Sequence, residues 1–277
     1  MSSAGISSLR SRLESIGLSR LMLFLDFDGT MVPIAPRPQH AKMSKRMKRT
    51  VERLGRRVPI AIVSGRPIND LRRILGLRQI HYIGMHGFSY ATHGKRPSWL
   101  APRPPRRIVR QWKTALEAVA RKVRGAWVED KGIAVALHDR QVAAQDRRRL
   151  RRHALGAMQD WLRRNQVRLL RGKRIIEVLP PTRCDKGTAV LWLLQKPWAR
   201  SRVPVYIGDD TTDIPALDLV ARSGIAVQVG SIPHARKTYL RLKNRNAVEQ
   251  LLRELANRLD QPIPVERQRL ANSSCTA

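Results

Sequence analysis

Short apolar runs, each closed by polar turn residues, alternate along this chain with longer stretches whose apolar positions recur at helical spacing. The run Leu21-Met22-Leu23-Phe24-Leu25 has no polar interruption. Such continuity marks an interior strand buried on both faces rather than a half-solvated one. Equivalent strands are expected at 60–63, 80–84, 203–208 and 226–229, with helices at 44–55, 67–75 and 184–194. This alternation predicts an α/β fold around a parallel sheet. Between the two halves the texture changes. Pro97, Pro102, Pro104 and Pro105 break the chain, as a linker would. Beyond them come a helix at 108–123, strands at 126–129 and 133–138, a helix at 143–164, and strands at 167–170 and 174–178. Pro180-Pro181 ends this unit. The expected organisation is therefore a core over 1–95, a smaller inserted α/β unit over 96–180, the core again over 181–260, and a polar tail over 261–277, flexible at its end. No internal repeat is evident.

The first strand ends in Asp26-Phe27-Asp28-Gly29-Thr30. Side chains at the carboxyl end of such a strand project into the crevice where open α/β sheets bind ligands. Residues two apart on a strand point the same way, so Asp26 and Asp28 are expected to converge. Two carboxylates held that close repel, and a hard cation such as Mg²⁺ would relieve the repulsion.

Three further segments join the first in a fixed order. Ile60-Ala61-Ile62-Val63-Ser64-Gly65-Arg66 is a strand ending in a hydroxyl. Asp185-Lys186-Gly187 opens a helix, and Val205-Tyr206-Ile207-Gly208-Asp209-Asp210-Thr211-Thr212-Asp213 is a strand ending in acids. Singly, each has an ordinary reading: Asp and Gly favour turns, Ser64 would cap the helix that follows it, and a lone lysine is usually solvated. Together and in this order they resemble the four motifs of the haloacid dehalogenase superfamily of phosphotransferases. That resemblance implies a Rossmann-like core with an inserted cap domain, and a site whose members are as follows. Asp26 would attack phosphorus and form an aspartyl-phosphate, while Asp28 would act as general acid and base. Ser64 would bind a non-bridging oxygen, and Lys186 would offset charge. Mg²⁺ would be held by Asp26, Asp209 and the main-chain carbonyl of Asp28, with Asp210 and Asp213 as direct or outer partners.

The resemblance narrows further. Gly84-Met85-His86-Gly87, Val128-Glu129-Asp130-Lys131-Gly132, Leu137-His138-Asp139-Arg140 and Lys173-Arg174-Ile175-Ile176-Glu177-Val178 are similar to stretches of the trehalose-6-phosphate phosphatases, over about residues 20–258. This implies hydrolysis of trehalose 6-phosphate, with Arg66, His86, Glu129, Lys131, Arg140 and Glu177 as the substrate-binding set and with cap residues reading the sugar. Ile214 departs from the family pattern, which usually carries Glu after the final Asp of the fourth motif. It keeps open a phosphatase of glucosylglycerol, sucrose or mannosylglycerate phosphate type.

Composition adds one discordant feature. Of 277 residues, 54 are Lys or Arg (42 of them Arg) against 21 Asp and Glu, a formal net charge of +33. Such a surface attracts polyanions at low salt, and a nucleic-acid-associated protein on a phosphatase scaffold is the reading from a different class. Aromatics at 5% supply no stacking platform for bases. With neither a long apolar run nor a signal-peptide pattern, and only Cys184 and Cys275 far apart, a cytoplasmic enzyme without a membrane partner is expected; the sequence does not fix the oligomeric state, of which a monomer is favoured.

Overall fold

A computed structural model of the chain describes residues 3–260; the tail expected over 261–277 lies outside the described residues. The central sheet has eight strands: β1 (Leu21–Asp26), β2 (Ile60–Val63), β3 (His81–Gly84), β4 (Ser89–Thr92), β5 (Ser98–Trp99), β10 (Val203–Gly208), β11 (Ile225–Val229) and β12 (Leu240–Leu242). Their spatial order is β12-β11-β10-β1-β2-β3-β4-β5. The first six of these run parallel, and β4 and β5 add an antiparallel edge.

The unbroken apolar character of β1 follows from its central place. Leu21, Leu23 and Leu25 enter the core on one face, whereas Met22 and Phe24 enter the core on the other. In β2, Ile60 and Ile62 likewise join the first cluster and Ala61 and Val63 the second. Helices α1 (Ser3–Ile16), α2 (Lys45–Gly55) and α9 (Arg245–Asp260) cover the first face, with α3 (Ile68–Leu75) beside them. On the second face lie α7 (Lys186–Leu194) and α8 (Ile214–Val220). Neighbours on opposite sides of β1 follow it by separate crossovers, so the strand order reverses there. A crevice at the carboxyl end of β1 results.

A second sheet, wholly antiparallel, is built from β6 (Trp127–Asp130), β7 (Val135–His138), β8 (Arg168–Gly172) and β9 (Ile175–Leu179) in the order β6-β7-β9-β8. Helices α4 (Arg106–Ala120), α5 (Ala144–Ala157) and α6 (Gln159–Arg163) pack on it around the buried Trp112, Leu116, Leu150 and Met158. This is the cap. A small apolar joint links cap to core: Met85 and Phe88 from the core meet Ile133, Ala134 and Leu179 from the cap. No described helix is long and apolar enough to cross a membrane.

Several segments differ from the sequence expectation. The single helix over 143–164 is two, divided at Met158 (φ −99°, ψ 0°). That side chain is fully buried, and Gly156 just before it weakens helical continuity. Ser98–Trp99 pair with β4, so the core sheet reaches past residue 95 into the proline-rich stretch. Helix α1 carries no strong signal amid its Ser and Arg residues, yet it buries Ile6, Leu9 and Leu13. Ser64 does not cap α3, whose flanking residue is Pro67.

Gly87 illustrates how the backbone sets the site. It has φ +104°, and a Cβ there would lie 2.2 Å from the main-chain oxygen of Asp185, the residue that caps α7. Gly87→Ala is expected to cost about 2–3 kcal/mol through backbone strain and that clash, read as a lower urea midpoint. An unchanged midpoint would contradict this placement.

Candidate active site

Asp26 ends β1 and is 4% exposed. Its Oδ1 accepts a hydrogen bond of 2.7 Å from Nζ of Lys186, which also donates to Oδ1 of Asp213 at 2.6 Å. Lys186 owes its position to the start of α7, where Asp185 and Thr188 form a reciprocal capping box. Asp213 is itself fixed from several sides. The Tyr206 hydroxyl donates to Oδ1 at 2.7 Å, and the amides of Asp209 and Asp210 donate to Oδ2 at 3.0 and 2.9 Å. Asp209 accepts from the Thr30 hydroxyl at 3.2 Å and pairs with Lys173. Gly29, with φ +96°, permits this approach, because a Cβ there would fall 2.2 Å from Oδ2 of Asp209.

One carboxylate oxygen from each of Asp26, Asp209 and Asp213 lies within 4.8 Å of the others. Oδ2 of Asp26 is buried and takes no hydrogen bond. An all-oxygen donor set with an unsatisfied buried carboxylate atom fits a hard divalent cation. Burial, and then the charges of Asp213 and Asp209, push the Asp26 carboxyl well above its usual range against the pull of Lys186. Burial, with Asp213 adding to it, also raises Asp209, against the pull of Lys173. Burial works against the charge on Lys186, but Asp213 and Asp26 outweigh it and hold its pKa above the ordinary value.

Asp28 reaches the same cleft differently. The strand ends at Asp26 and the chain turns, so Asp28 sits in an isolated bridge with Val32 rather than alternating along β1. Arg66 grips its carboxylate with a fork, Nε to Oδ2 at 2.6 Å and Nη2 to Oδ1 at 2.7 Å, and donates through Nη1 to the Pro38 carbonyl at 2.7 Å. Ser64 is 1% exposed, and its Oγ accepts from the amide of Arg66 at 3.2 Å. Asp210 stands apart from the carboxylate cluster. It accepts from the amide of Thr211 at 2.8 Å and caps the turn that follows.

The cap closes the cleft with charged groups. Lys131 pairs with Glu177 and donates to the Gly65 carbonyl at 3.3 Å, a contact from cap to core. Nε2 of His86 lies 2.8 Å from Oε2 of Glu177. Burial would raise Glu177, but Lys131 and His86 dominate and hold it far below the usual carboxylate range. Glu129 accepts from His138 at 2.8 Å, and Arg140 donates to the Lys173 carbonyl at 3.0 Å. Asp26, Asp28, Ser64, Arg66, His86, Glu129, Lys131, Arg140, Glu177, Lys186 and Asp210 all line this one cleft, with Asp209 and Asp213 behind its wall.

Sequence reasoning did not single out Lys173, Tyr206 or Thr30. Lys173 gave the clearest available signal, a lysine at a hairpin tip four residues before Glu177; the phenolic oxygen in the interior of β10 gave a weaker one.

Comparisons with known proteins agree on one relationship. The trehalose-phosphatase family model matches residues 24–258. The trehalose-phosphate phosphatase of Mycobacterium tuberculosis is 32% identical over 237 residues, covering 81% of this chain and 59% of that protein, so the chain spans under two thirds of its mycobacterial relative. The probable trehalose-phosphate phosphatase D of Arabidopsis thaliana is 29% identical over 250 residues, covering 85% and 67%. Among solved structures, the C-terminal domain of the Candida albicans trehalose-6-phosphate phosphatase shares the fold, with a TM-score of 0.79 at 23% identity over 91% of this chain and 96% of that one.

The raised Asp26 carboxyl carries a sign for stability. A group that titrates higher when folded contributes stability below its unfolded pKa of about 3.9, and that contribution is lost as pH rises through the folded value. Asp26→Asn keeps the shape, removes the repelling charge and leaves Lys186 paired with Asp213. In chelator, the variant is expected to melt about 2–4 °C above wild type at pH 8, with a smaller gain at pH 5. A lower Tm at pH 8 by calorimetry would refute the repulsion.

Proposed function

Because the chain belongs to the trehalose-phosphatase family, we propose that it hydrolyses trehalose 6-phosphate to trehalose and inorganic phosphate, in a Mg²⁺-dependent reaction through an aspartyl-phosphate on Asp26. The observation that carries this reading is the single cleft in which a phosphoryl-transfer set from the core faces a carboxylate, ammonium and imidazole set from the cap.

Asp26, Asp209 and the neighbouring Asp213 would hold the ion. Bound there, it supplies Lewis-acid polarisation of a phosphoryl oxygen and neutralises charge. The remaining work falls to this chain's own side chains. The Asp26 carboxylate attacks phosphorus as the bond to the sugar oxygen breaks, and Asp28 delivers the proton that this oxygen needs. Asp28 then takes a proton from the water that attacks the aspartyl-phosphate, which frees inorganic phosphate and restores Asp26. Ser64 and Lys186 bear on the non-bridging oxygens and the nucleophile, in a site shielded from water by the cap. Arg66 holds the ionised Asp28 in one orientation through its two-point grip, and that grip has to loosen for Asp28 to carry the proton between the leaving group and the water. On the cap, Glu129 and Glu177 accept hydrogen bonds from sugar hydroxyls, and Lys131, His86 and Arg140 donate to them. The chemistry and the choice of sugar thus come from different units of the chain.

Ile214 supports a second reading, a phosphatase of another sugar phosphate. Its side chain packs against the core cluster around α7 and α8 and is not part of the cleft wall, which weakens the link between that position and sugar choice. A substrate panel separates the two readings: kcat/KM is expected to be highest for trehalose 6-phosphate among sucrose, glucosylglycerol, mannosylglycerate and glucose phosphates. A better rate on any other overturns the assignment.

Two variants divide chemistry from recognition. Asp26→Asn should lose at least about 10³-fold in kcat while remaining folded. Lys131→Met should raise KM by about 10- to 100-fold with a smaller effect on kcat, since one charged hydrogen bond is worth roughly 1.5–3 kcal/mol. Substantial turnover by Asp26→Asn would reject the covalent route.

A further inference from the structure

The hairpin between β8 and β9 brings a second ammonium to the carboxylate cluster. At its tip, Lys173 pairs with Oδ2 of Asp209 and donates through Nζ to that residue's main-chain oxygen at 2.6 Å. The amide of Lys173 donates to Oδ2 of Asp210 at 3.3 Å, and the Thr211 hydroxyl donates to the Arg171 carbonyl at 3.1 Å. The cap hairpin is therefore docked on the very loop that presents Asp209.

Charge counting shows what this docking does. When ionised together, as a bound cation would favour, Asp26, Asp209 and Asp213 bring three negative charges to a buried cluster, and Lys186 supplies one positive charge between two of them. Within this buried trio a divalent ion would bring the sum to zero, and Lys173 in addition would leave an excess positive charge there, offset only by the half-exposed Asp210 beside the hairpin. A surplus buried charge is unfavourable in low dielectric. The two partners also differ in freedom: the Lys173 side chain is 39% exposed and the Asp209 side chain only 5%. Lys173 can turn to water at small cost; Asp209 cannot.

We propose that Lys173 is a tethered counter-ion for Asp209 that competes with the divalent cation, so that metal loading and docking of the cap hairpin oppose each other until a phosphorylated substrate restores the charge balance. This rests on the reading above, in which Asp26 and Asp209 hold the ion. A phosphoryl dianion in the cleft would add two negative charges, and Lys173 would then be drawn back. Once the metal is bound, the hairpin returns only when a phosphoryl group joins it, so the empty site and the fully filled site both favour docking and the metal-only site opposes it. Lys173 is in this sense a positioning residue of the cap.

The test uses Mn²⁺ as probe with the full chain, by isothermal titration, on wild type, Lys173→Met and Lys173→Arg, each checked for folding by circular dichroism. Lys173→Met is expected to bind Mn²⁺ about tenfold more tightly, since a neighbouring charge shifts the binding of a cation by one to three powers of ten, and Lys173→Arg should stay near wild type. In wild type, amide hydrogen exchange over 171–174 should speed up on adding Mn²⁺ and slow again on adding inorganic phosphate as well. Unchanged or weaker Mn²⁺ binding by a folded Lys173→Met, or a hairpin protected by Mn²⁺ alone, would overturn the proposal while leaving the metal site standing. Absence of Mn²⁺ binding in every variant would overturn the metal site itself. Should Lys173→Met fail to fold, the exchange measurement on wild type decides by itself.

Discussion

The ammonium of Lys186, seated between Asp26 and Asp213, is the contact on which the rest of this structure depends. It joins the carboxyl ends of β1 and β10 to the first turn of α7, and so fixes three elements that are distant in sequence. A buried ion pair is a weak source of net stability, because desolvation consumes most of the attraction. Its value here is positional. Asp213 spends its second oxygen on the amides of Asp209 and Asp210, so the loop that carries the remaining carboxylates is shaped by the partner of Lys186. Remove that ammonium and Asp26, the loop and the helix lose their common reference.

The strands that build this arrangement were legible because burial on both faces leaves a plain mark. Leu21 to Leu25 must satisfy two cores at once, so no polar residue is tolerated. Lys186 was legible through its motif, and its neighbour Asp185 through capping chemistry. Other features left no local trace. The grip of Arg66 on Asp28 spans 38 positions, and that of Lys173 on Asp209 spans 36; neither sequence neighbourhood contains its partner. The edge strands β4 and β5 are short and carry Ser and Thr, which read equally well as loop. The division of the cap helix at Met158 depends on tertiary burial of one side chain, which helical periodicity does not report. The expected residues Lys131 and Glu177 meet the core at Gly65 and His86, whereas Lys173, Tyr206 and Thr30 show their part only through partners distant in sequence or on another element.

The two units handle charge by different rules. The core concentrates negative charge, since three carboxylates there share two ammoniums. The cap wall of the cleft balances its charges in short pairs, Lys131 with Glu177 and His138 with Glu129. A richly hydrogen-bonding wall suits a polyhydroxylated group, whereas a carboxylate-rich cluster suits a hard cation. The strongly basic exterior lies outside both, with Arg148, Arg152, Arg163 and Arg164 exposed on the outer helices of the cap. It attracts anions in general rather than selecting one.

The small joint formed by Met85, Phe88, Ile133, Ala134 and Leu179 has a bearing on how this protein can be dissected. Met85 and Phe88 are 2% and 0% exposed, and cap residues supply part of the apolar cluster that covers them. Excising the cap would bare both to water beside the mouth of the catalytic crevice and leave a sticky surface where a substrate should enter. A stripped-down catalytic core of this chain would therefore need those two positions redesigned before it remained dispersed. The cap thus also serves as the cover of an apolar edge of the core.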